Sequence, residues 1–534
     1  MERVEEIVAR AALLTMNGIP FDAFNGPFFD HWVKCLRNVK GCDVVSTRTV
    51  VDTGLPCLAE SLGTTMIDNL QSASVVVALF DGWSDKDNSY WIGVMLSWVD
   101  DDWKLHCQGF DLIKAVSRTT EAQVLQIGDC LERLLLPGQI VGLAVTDGAS
   151  VEGSTCKALS IDRWWCADHR LHLAITSALE NSSAAVFYHA ATDVIRTVMK
   201  SSVLLAQLKV SLDELGEDPT KPITYSKTRW VGIYYSTARY IKHFDALFVM
   251  GKEGMFNDYH LDSKFTPWEN VHAKDHLIAC QSILQTFAIG VATLEGEKYP
   301  TLTLVPHWLN RFRKLLQSNT EDHIASDFQA KLSERLEFYF PNFFEETNLA
   351  LISAALHVRF TPLKWCSPSV ANQVWEDAVE QAFSLFGEDD EDRPSVETIR
   401  ATFVDARRRL LKEHNAIKEK RASMGKESAP WPDPLEWWSG RIKSFPHLEL
   451  VVKLFLGAPA TEAACERFFK NSSFAEVGRT NISPQTLSMK TLVRSQLKVP
   501  SDLKAVVTQV CSLFKDQPAA NSSKPHPPII IADK

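Results

Sequence analysis

Apolar and polar positions along the chain fall into stretches of different period. The run Val75 to Phe80 is short and wholly apolar, the pattern of a buried strand, and it ends in Asp81, with Asp85 four residues on, in VVVALFDGWSD. Tyr90 to Val99 is rich in aromatic and branched residues and predicts a second strand. Asp100, Asp101 and Asp102 then make a polar turn. In WKLHCQGF, Trp103, Leu105 and Cys107 alternate with Lys104, His106 and Gln108, the period of a half-buried third strand. A helix is predicted next. Thr120 and Gln123 have capping-box spacing, Val124, Ile127, Leu131, Leu134 and Leu135 recur on one face, and Pro137-Gly138 ends it. Ile140 to Val145 is another short apolar run, and it too delivers a carboxylate, two residues later, at Asp147.

The order strand, strand, strand, helix, strand carries a topological expectation. Three sequential antiparallel strands followed by a crossing helix place the fourth strand parallel to the first. The C-terminal ends of parallel neighbours lie on one edge, so Asp81 and Asp147 should sit side by side where open α/β sheets hold their sites. Asp-Gly is also ordinary turn chemistry, and that plainer account of both residues stays open.

The rest of the chain is mostly helical in pattern. Residues 1 to about 70 read as helix, with FFDHWVKCL an amphipathic candidate. From about 180 to 430 no strand succession is visible, and the acidic run Glu388 to Asp392 reads as a solvated loop. RRRLLKEHNAIKEKR, from Arg407, fits a nuclear-localisation patch, a nucleic-acid contact or a charged exposed helix, and the alternation of Lys and Glu favours the last. A new helical block begins at LEWW, after residues 428–434, and the tail QPAANSSKPHPPIIIADK has the composition of a disordered end.

Composition narrows the classes. At 534 residues, two to four domains are expected, and 45% hydrophobic with 23% charged residues is ordinary for a globular chain. No apolar run reaches about 18 residues, so no membrane partner is expected. The start, MERVEEIVARAALL, is acidic where a secretory signal is basic. Eleven cysteines without repeating pair spacing suit free thiols in a reducing compartment. A net charge of −10 excludes a whole-surface nucleic-acid footprint, yet residues 431–534 hold 13 Lys/Arg against 9 Asp/Glu, a local +4.

Paired carboxylates at adjoining strand ends suit Mg²⁺, a hard cation that takes one or two carboxylates and completes its shell with water and phosphate oxygens. Two such ions about 3.5–4 Å apart serve phosphodiester chemistry. A third carboxylate is normally wanted, and spacing alone cannot select it among 66 acidic residues.

The segments DGWSD (81–85), VTDGAS (145–150), WWCADHRLHLA (164–174), TRW (228–230), GEKYPT (296–301), DPLEWW (433–438) and APATEAACERFF (458–469) occur in that order. Together, from about residue 15 to 498, they resemble the hAT superfamily of DNA transposases and their domesticated relatives. The resemblance implies an RNase H-like mixed-sheet core, interrupted by a large all-helical insertion and completed by C-terminal helices. The corresponding division is an N-terminal helical region at 1–70, the first part of the core at 71–230, the insertion at 231–430, the end of the core with the hAT dimerisation region at 431–500, and a tail at 501–534.

The resemblance also implies roles. Asp81, Asp147 and Glu466 match the family's acidic triad, the ligands of Mg²⁺, with Mn²⁺ as a substitute. Taken alone, Glu466 reads as an i,i+4 partner of Lys470, with Glu462 one turn back. Cys166 and His169 match a CxxH element that supports the active site and its DNA contacts. With His172 they fall short of the four ligands of structural zinc. Trp230, preceded by Arg229, matches a tryptophan that stacks on a flipped base, worth about 1–3 kcal/mol per base; a lone tryptophan is otherwise core. Leu487, Leu492 and Val493 are candidates either for self-association or for intramolecular core. The chain departs from the pattern in lacking paired Cys and His of a BED-type zinc finger, in carrying ALHVRF (355–360) where LDPR is common, and in His172 where Asn is usual.

The leading expectation is a nuclear, metal-dependent DNA transposase that self-associates as a dimer or higher oligomer. The alternative is a domesticated or inactive transposase-derived protein that dimerises and binds chromatin or protein partners without catalysis. A purely structural helical protein does not account for the ordered motifs.

Overall fold

A computed structural model describes residues 50–85, 88–224, 230–261, 264–387, 393–426, 429–476 and 483–496. FFDHWVKCL, Arg229, the run Glu388 to Asp392 and the tail lie outside them. The chain divides into two compact units. The first comprises Met1–Cys166, Glu297–Pro300 and Ala378–Lys534, and the second Ala167–Gly296 and Thr301–Asp377.

The first unit is built on one mixed sheet. Helix α1 (Leu55–Leu70) leads into β1 (Val75–Ser84), β2 (Tyr90–Val99) and β3 (Leu105–Lys114); α2 (Thr120–Leu134), β4 (Ile140–Thr146), α3 (Ser150–Ala158) and β5 (Arg163–Trp165) follow. The strand order is β3-β2-β1-β4-β5. β1 pairs antiparallel with β2 and parallel with β4, as the order of elements requires. One face packs Val76, Ala78, Phe80, Ile92, Val94 and Leu96 against Ile127, Cys130 and Leu131 of α2.

Three local expectations are corrected. β1 does not stop at Phe80. It continues through Asp81 to Ser84 because β2 still pairs with it, Asp81 opposite Gly93 and Ser84 opposite Tyr90. The cap of α2 is Thr119, whose hydroxyl accepts the Ala122 N–H at 3.4 Å, rather than Thr120. Trp103 adopts φ +61° in the turn, and the third strand begins at Leu105.

In the second unit the described residues contain helices and no strand: α4 (Ala167–Glu180), α5 (Ala185–Lys200), α6 (Ser202–Glu214), α7 (Trp230–Lys252), α8 (Ala273–Leu294), α9 (Val305–Leu316), α10 (His323–Tyr339) and α11 (Leu349–Ala355). α8 is, by length and composition, apolar enough to cross a membrane. It carries Lys274, Asp275 and His276 in its first turn and buries Leu277, Ile283, Leu284, Phe287 and Val291 inside the unit, the behaviour of a core helix. In ALHVRF, His357 is buried and its Nδ1 accepts the Arg359 N–H at 3.1 Å.

After α12 (Pro368–Ser384), α13 (Val396–Met424) buries Ile399, Phe403, Ala406, Leu410 and His414, one stripe at helical spacing. The Arg407-to-Arg421 stretch thus lies on a long helix with Arg408 and Arg409 facing solvent. α14 (Pro434–Ser439), α15 (Glu449–Gly457), α16 (Ala463–Glu476) and α17 (Pro484–Gln496) complete the first unit. α15 and α16 pack on the sheet. Ser97 Oγ donates to the Gly457 carbonyl at 2.7 Å. Lys453, its side chain buried, joins Glu449 at 2.8 Å to Asp101 at 3.0 Å, so the polar turn between β2 and β3 anchors α15. Leu487 and Val493 are fully buried on α17, which packs on α16, α1 and β3. Their intramolecular reading is the one the fold supports.

α16 sits close to the sheet because two strand positions lack a side chain. A Cβ on Gly93 would lie 2.8 Å from Phe469, and one on Gly109 2.5 Å from Phe468. Gly109→Ala should therefore lose about 1–3 kcal/mol of stability through overpacking. Gly63→Ala, at a helical site with nothing within 4 Å, should gain roughly 0.5–1 kcal/mol. Urea unfolding of the two variants measures both, and equal midpoints would refute this account of the α16 seat.

Candidate acidic site

The parallel register of β1 and β4 places the first two carboxylates. Leu79 pairs with Val145, so two residues further along each chain stand Asp81 and Asp147. Asp81 Oδ1 accepts the Gly82 N–H at 2.6 Å, and Gly82 leaves room for the Tyr90 hydroxyl that its Cβ would occupy. Asp147 Oδ1 accepts the Ala149 N–H at 2.6 Å, the turn that opens α3. The Arg163 side chain braces this corner, with Nε donating to Thr146 Oγ1 at 2.7 Å and the guanidinium to the Asp147 carbonyl. Asp85 is held in the β1–β2 turn, accepting the Ser89 N–H and the Trp91 indole N–H, each at 2.8 Å.

A third carboxylate joins them that the sequence did not single out. Glu152, in the first turn of α3, brings an oxygen into a group with Asp81 and Asp147 in which all three ligand atoms lie within 4.8 Å of one another. Glu152 is only 3% exposed, and its Oε2 has no hydrogen-bond partner among the described residues. Burial, then the hydrogen bond and charge of Asp147, then the charges of Asp81 and Glu462 push its carboxyl up to about 11. The same field acts on neighbours. The Tyr90 phenol is raised by burial and by Glu152 and Asp81, and the buried Cys465 thiol is raised by burial, Asp81 and Glu462. A glutamate in a helix's first turn is common for dipole reasons alone, which is why the sequence gives no signal beyond its closeness to Asp147.

Glu466 stands in the first turn of α16, half-buried, and is not one of the three mutually close carboxylates. One turn earlier Glu462 is buried, and its N–H donates to Cys166 Sγ at 3.4 Å. Trp164 Nε1 donates to the Ala460 carbonyl at 3.0 Å. Cys166 and β5 therefore hold the segment that leads into α16. Arg467, beside Glu466, pairs with Glu297 at 2.6 Å, which joins the GEKYPT and ACERFF segments.

The second unit holds the other residues named from the resemblance. His169 lies near His172, ring centroids 6.4 Å apart, and His172 Nδ1 accepts the Trp230 backbone N–H at 3.0 Å. Trp230 is 1% exposed. The indole is buried in the fold, which does not match the expectation of an open stacking platform. Arg229 lies outside the described residues.

Comparison with known families adds the C-terminal part. Residues 408–498 match the family model of the hAT family C-terminal dimerisation region. The match bears out the hAT resemblance over the C-terminal part, where DPLEWW and APATEAACERFF lie, and it supports self-association. No curated protein matches the chain.

The raised Glu152 carboxyl has a consequence for stability. The folded chain keeps a proton that the unfolded chain releases above its ordinary value of 4.5, so this group's contribution falls as pH rises from there toward 11. In EDTA, the melting temperature of the unaltered protein should drop more steeply between about pH 5 and 9 than that of Glu152→Gln, whose side chain does not ionise. Parallel profiles would mean that Glu152 is ionised in the fold.

Proposed function

We propose that this chain is a hAT-type transposase that cleaves and joins DNA strands with divalent metal ions, acting as a self-associated protein in the nucleus. The observation that carries the reading is the convergence of Asp81 and Asp147 at the C-terminal ends of parallel neighbours. We read the five-stranded mixed sheet as an RNase H-like core, with the C-terminal helices packed on it. The donor set fits Mg²⁺ or Mn²⁺: hard carboxylate oxygens close together, one of them buried without a hydrogen-bond partner among the described residues. Asp81, Asp147 and Glu466 would hold the ions, which, when bound, activate an attacking oxygen and stabilise a leaving one.

The protein's own groups prepare that chemistry. The Ala149 N–H fixes the rotamer of Asp147, and the Gly82 N–H that of Asp81. Cys166 and Trp164 hold the approach to α16 and so set where Glu466 stands. Basic residues on α13 and in the C-terminal block supply charge for phosphates.

Purified protein incubated with nicked or branched DNA and Mn²⁺ should cut or join strands, and Asp147→Ala should lower that rate at least about a hundredfold. Equal rates in the two proteins, or no metal-dependent products, would sink the enzymatic reading. Self-association with no products would point to the domesticated, non-catalytic alternative.

A further inference from the structure

Among the described residues, the three carboxylates that come together as one possible ligand set are not the three named by the family resemblance. Asp81, Asp147 and Glu152 form the group within 4.8 Å, and Glu466 stands outside it. Glu152 follows Asp147 by five residues, so the strand-to-helix corner that orients one also fixes the other. The helix that bears it is anchored. Thr155 and Cys156 are buried, and Thr155 Oγ1 donates to Gln123 Oε1 of α2 at 3.2 Å. Two independent features then point to a ligand. The separations, all within 4.8 Å, are compatible with oxygens drawn in around one small cation, which lie about 3 Å apart when adjacent and about 4.2 Å when opposite for metal–oxygen distances of about 2.1 Å. The side chain is also 3% exposed, with Oε2 lacking a hydrogen-bond donor among the described residues, a buried oxygen whose partner a cation would supply.

We propose that Glu152 is a direct ligand of the divalent cation in this chain, and that with Asp81 and Asp147 it forms a three-carboxylate site already assembled by β1, β4 and α3. This rests on the reading of Asp81 and Asp147 as metal ligands given above. The site then has its ion-holding carboxylates within one continuous stretch of chain, and Glu466 completes it from a separate segment. The competing account makes Glu152 a neutral acid that only hydrogen-bonds to Asp147. Glutamine separates the two, since its amide keeps a donor for Asp147 and removes the anionic ligand.

Mn²⁺ titrated into the full chain, with free Mn²⁺ read by electron paramagnetic resonance, tests this in the unaltered protein and in Asp81→Asn, Glu152→Gln and Glu466→Gln, each checked for folding by near-ultraviolet circular dichroism. Glu152→Gln should raise the Mn²⁺ Kd at least about tenfold, as Asp81→Asn should. If Glu152→Gln binds as the unaltered protein does while Asp81→Asn does not, Glu152 is a hydrogen-bonding residue only and the broader reading stands. No binding by the unaltered protein overturns both. Should Glu152→Gln fail to fold, a Mn²⁺-soaked crystal of the unaltered chain decides. An anomalous peak about 2.0–2.2 Å from a Glu152 oxygen supports the proposal, and a peak held by Asp81 and Asp147 with Glu152 beyond coordination distance refutes it.

Discussion

The parallel pairing of β1 with β4 is the constraint on which the acidic site depends. A strand's side chains alternate between faces, so its register decides which residues can meet as well as which strands touch. With Leu79 opposite Val145, Asp81 and Asp147 fall level with each other. A slip of one residue would turn one carboxylate to the opposite face. The runs Val75 to Phe80 and Leu143 to Val145 are buried on both faces, so a slip would have to repack side chains of different size in a close-packed core. Packing of these runs sets the backbone register, and the N–H groups of Gly82 and Ala149 set the carboxylate rotamers.

The second determinant is long-range. The helices that cover the sheet come from the far end of the sequence, and the bonds from Trp164 and Cys166 to residues 460 and 462 span 296 positions. Closing so large a loop costs entropy that the packing of these helices on the sheet must offset. Gly93 and Gly109 show how tightly the packing is specified, since each gives up a side chain for a phenylalanine of α16. The buried amine of Lys453, held between Asp101 and Glu449, adds a polar clamp at the sheet's end.

Much of this was legible in the sequence, and what was not has physical reasons. β2, α2 and β4 stand in the structure where their periods put them, because each element carries enough residues for its pattern to emerge. β5, three residues long, has no period to read. The extension of β1 past Asp81 depends on its partner strand, which no local pattern encodes. Thr119 and Thr120 are equally able to cap, and their order in the turn decided between them. Asp81 and Asp147 could be found because each ends an apolar run. Glu152 follows no such run, and it reaches Asp81 and Asp147 only when α3 folds back on the strand ends. Glu466 was legible only through the family resemblance.

The discontinuity of the first unit bears on how the chain is made. The ribosome delivers Asp81, Asp147 and Glu152 early, and residues 449–496 only after the whole second unit has been synthesised. Until then the surface that Phe468, Phe469 and Leu454 will cover is exposed sheet, with Gly93, Gly109 and Gly142 lying open between strands. Such a face attracts other chains. A chain that ends before residue 449 would hold Asp81, Asp147 and Glu152 but neither the covering phenylalanines nor Glu466. The separation of these segments makes completion of synthesis a precondition for covering the sheet beside the acidic group.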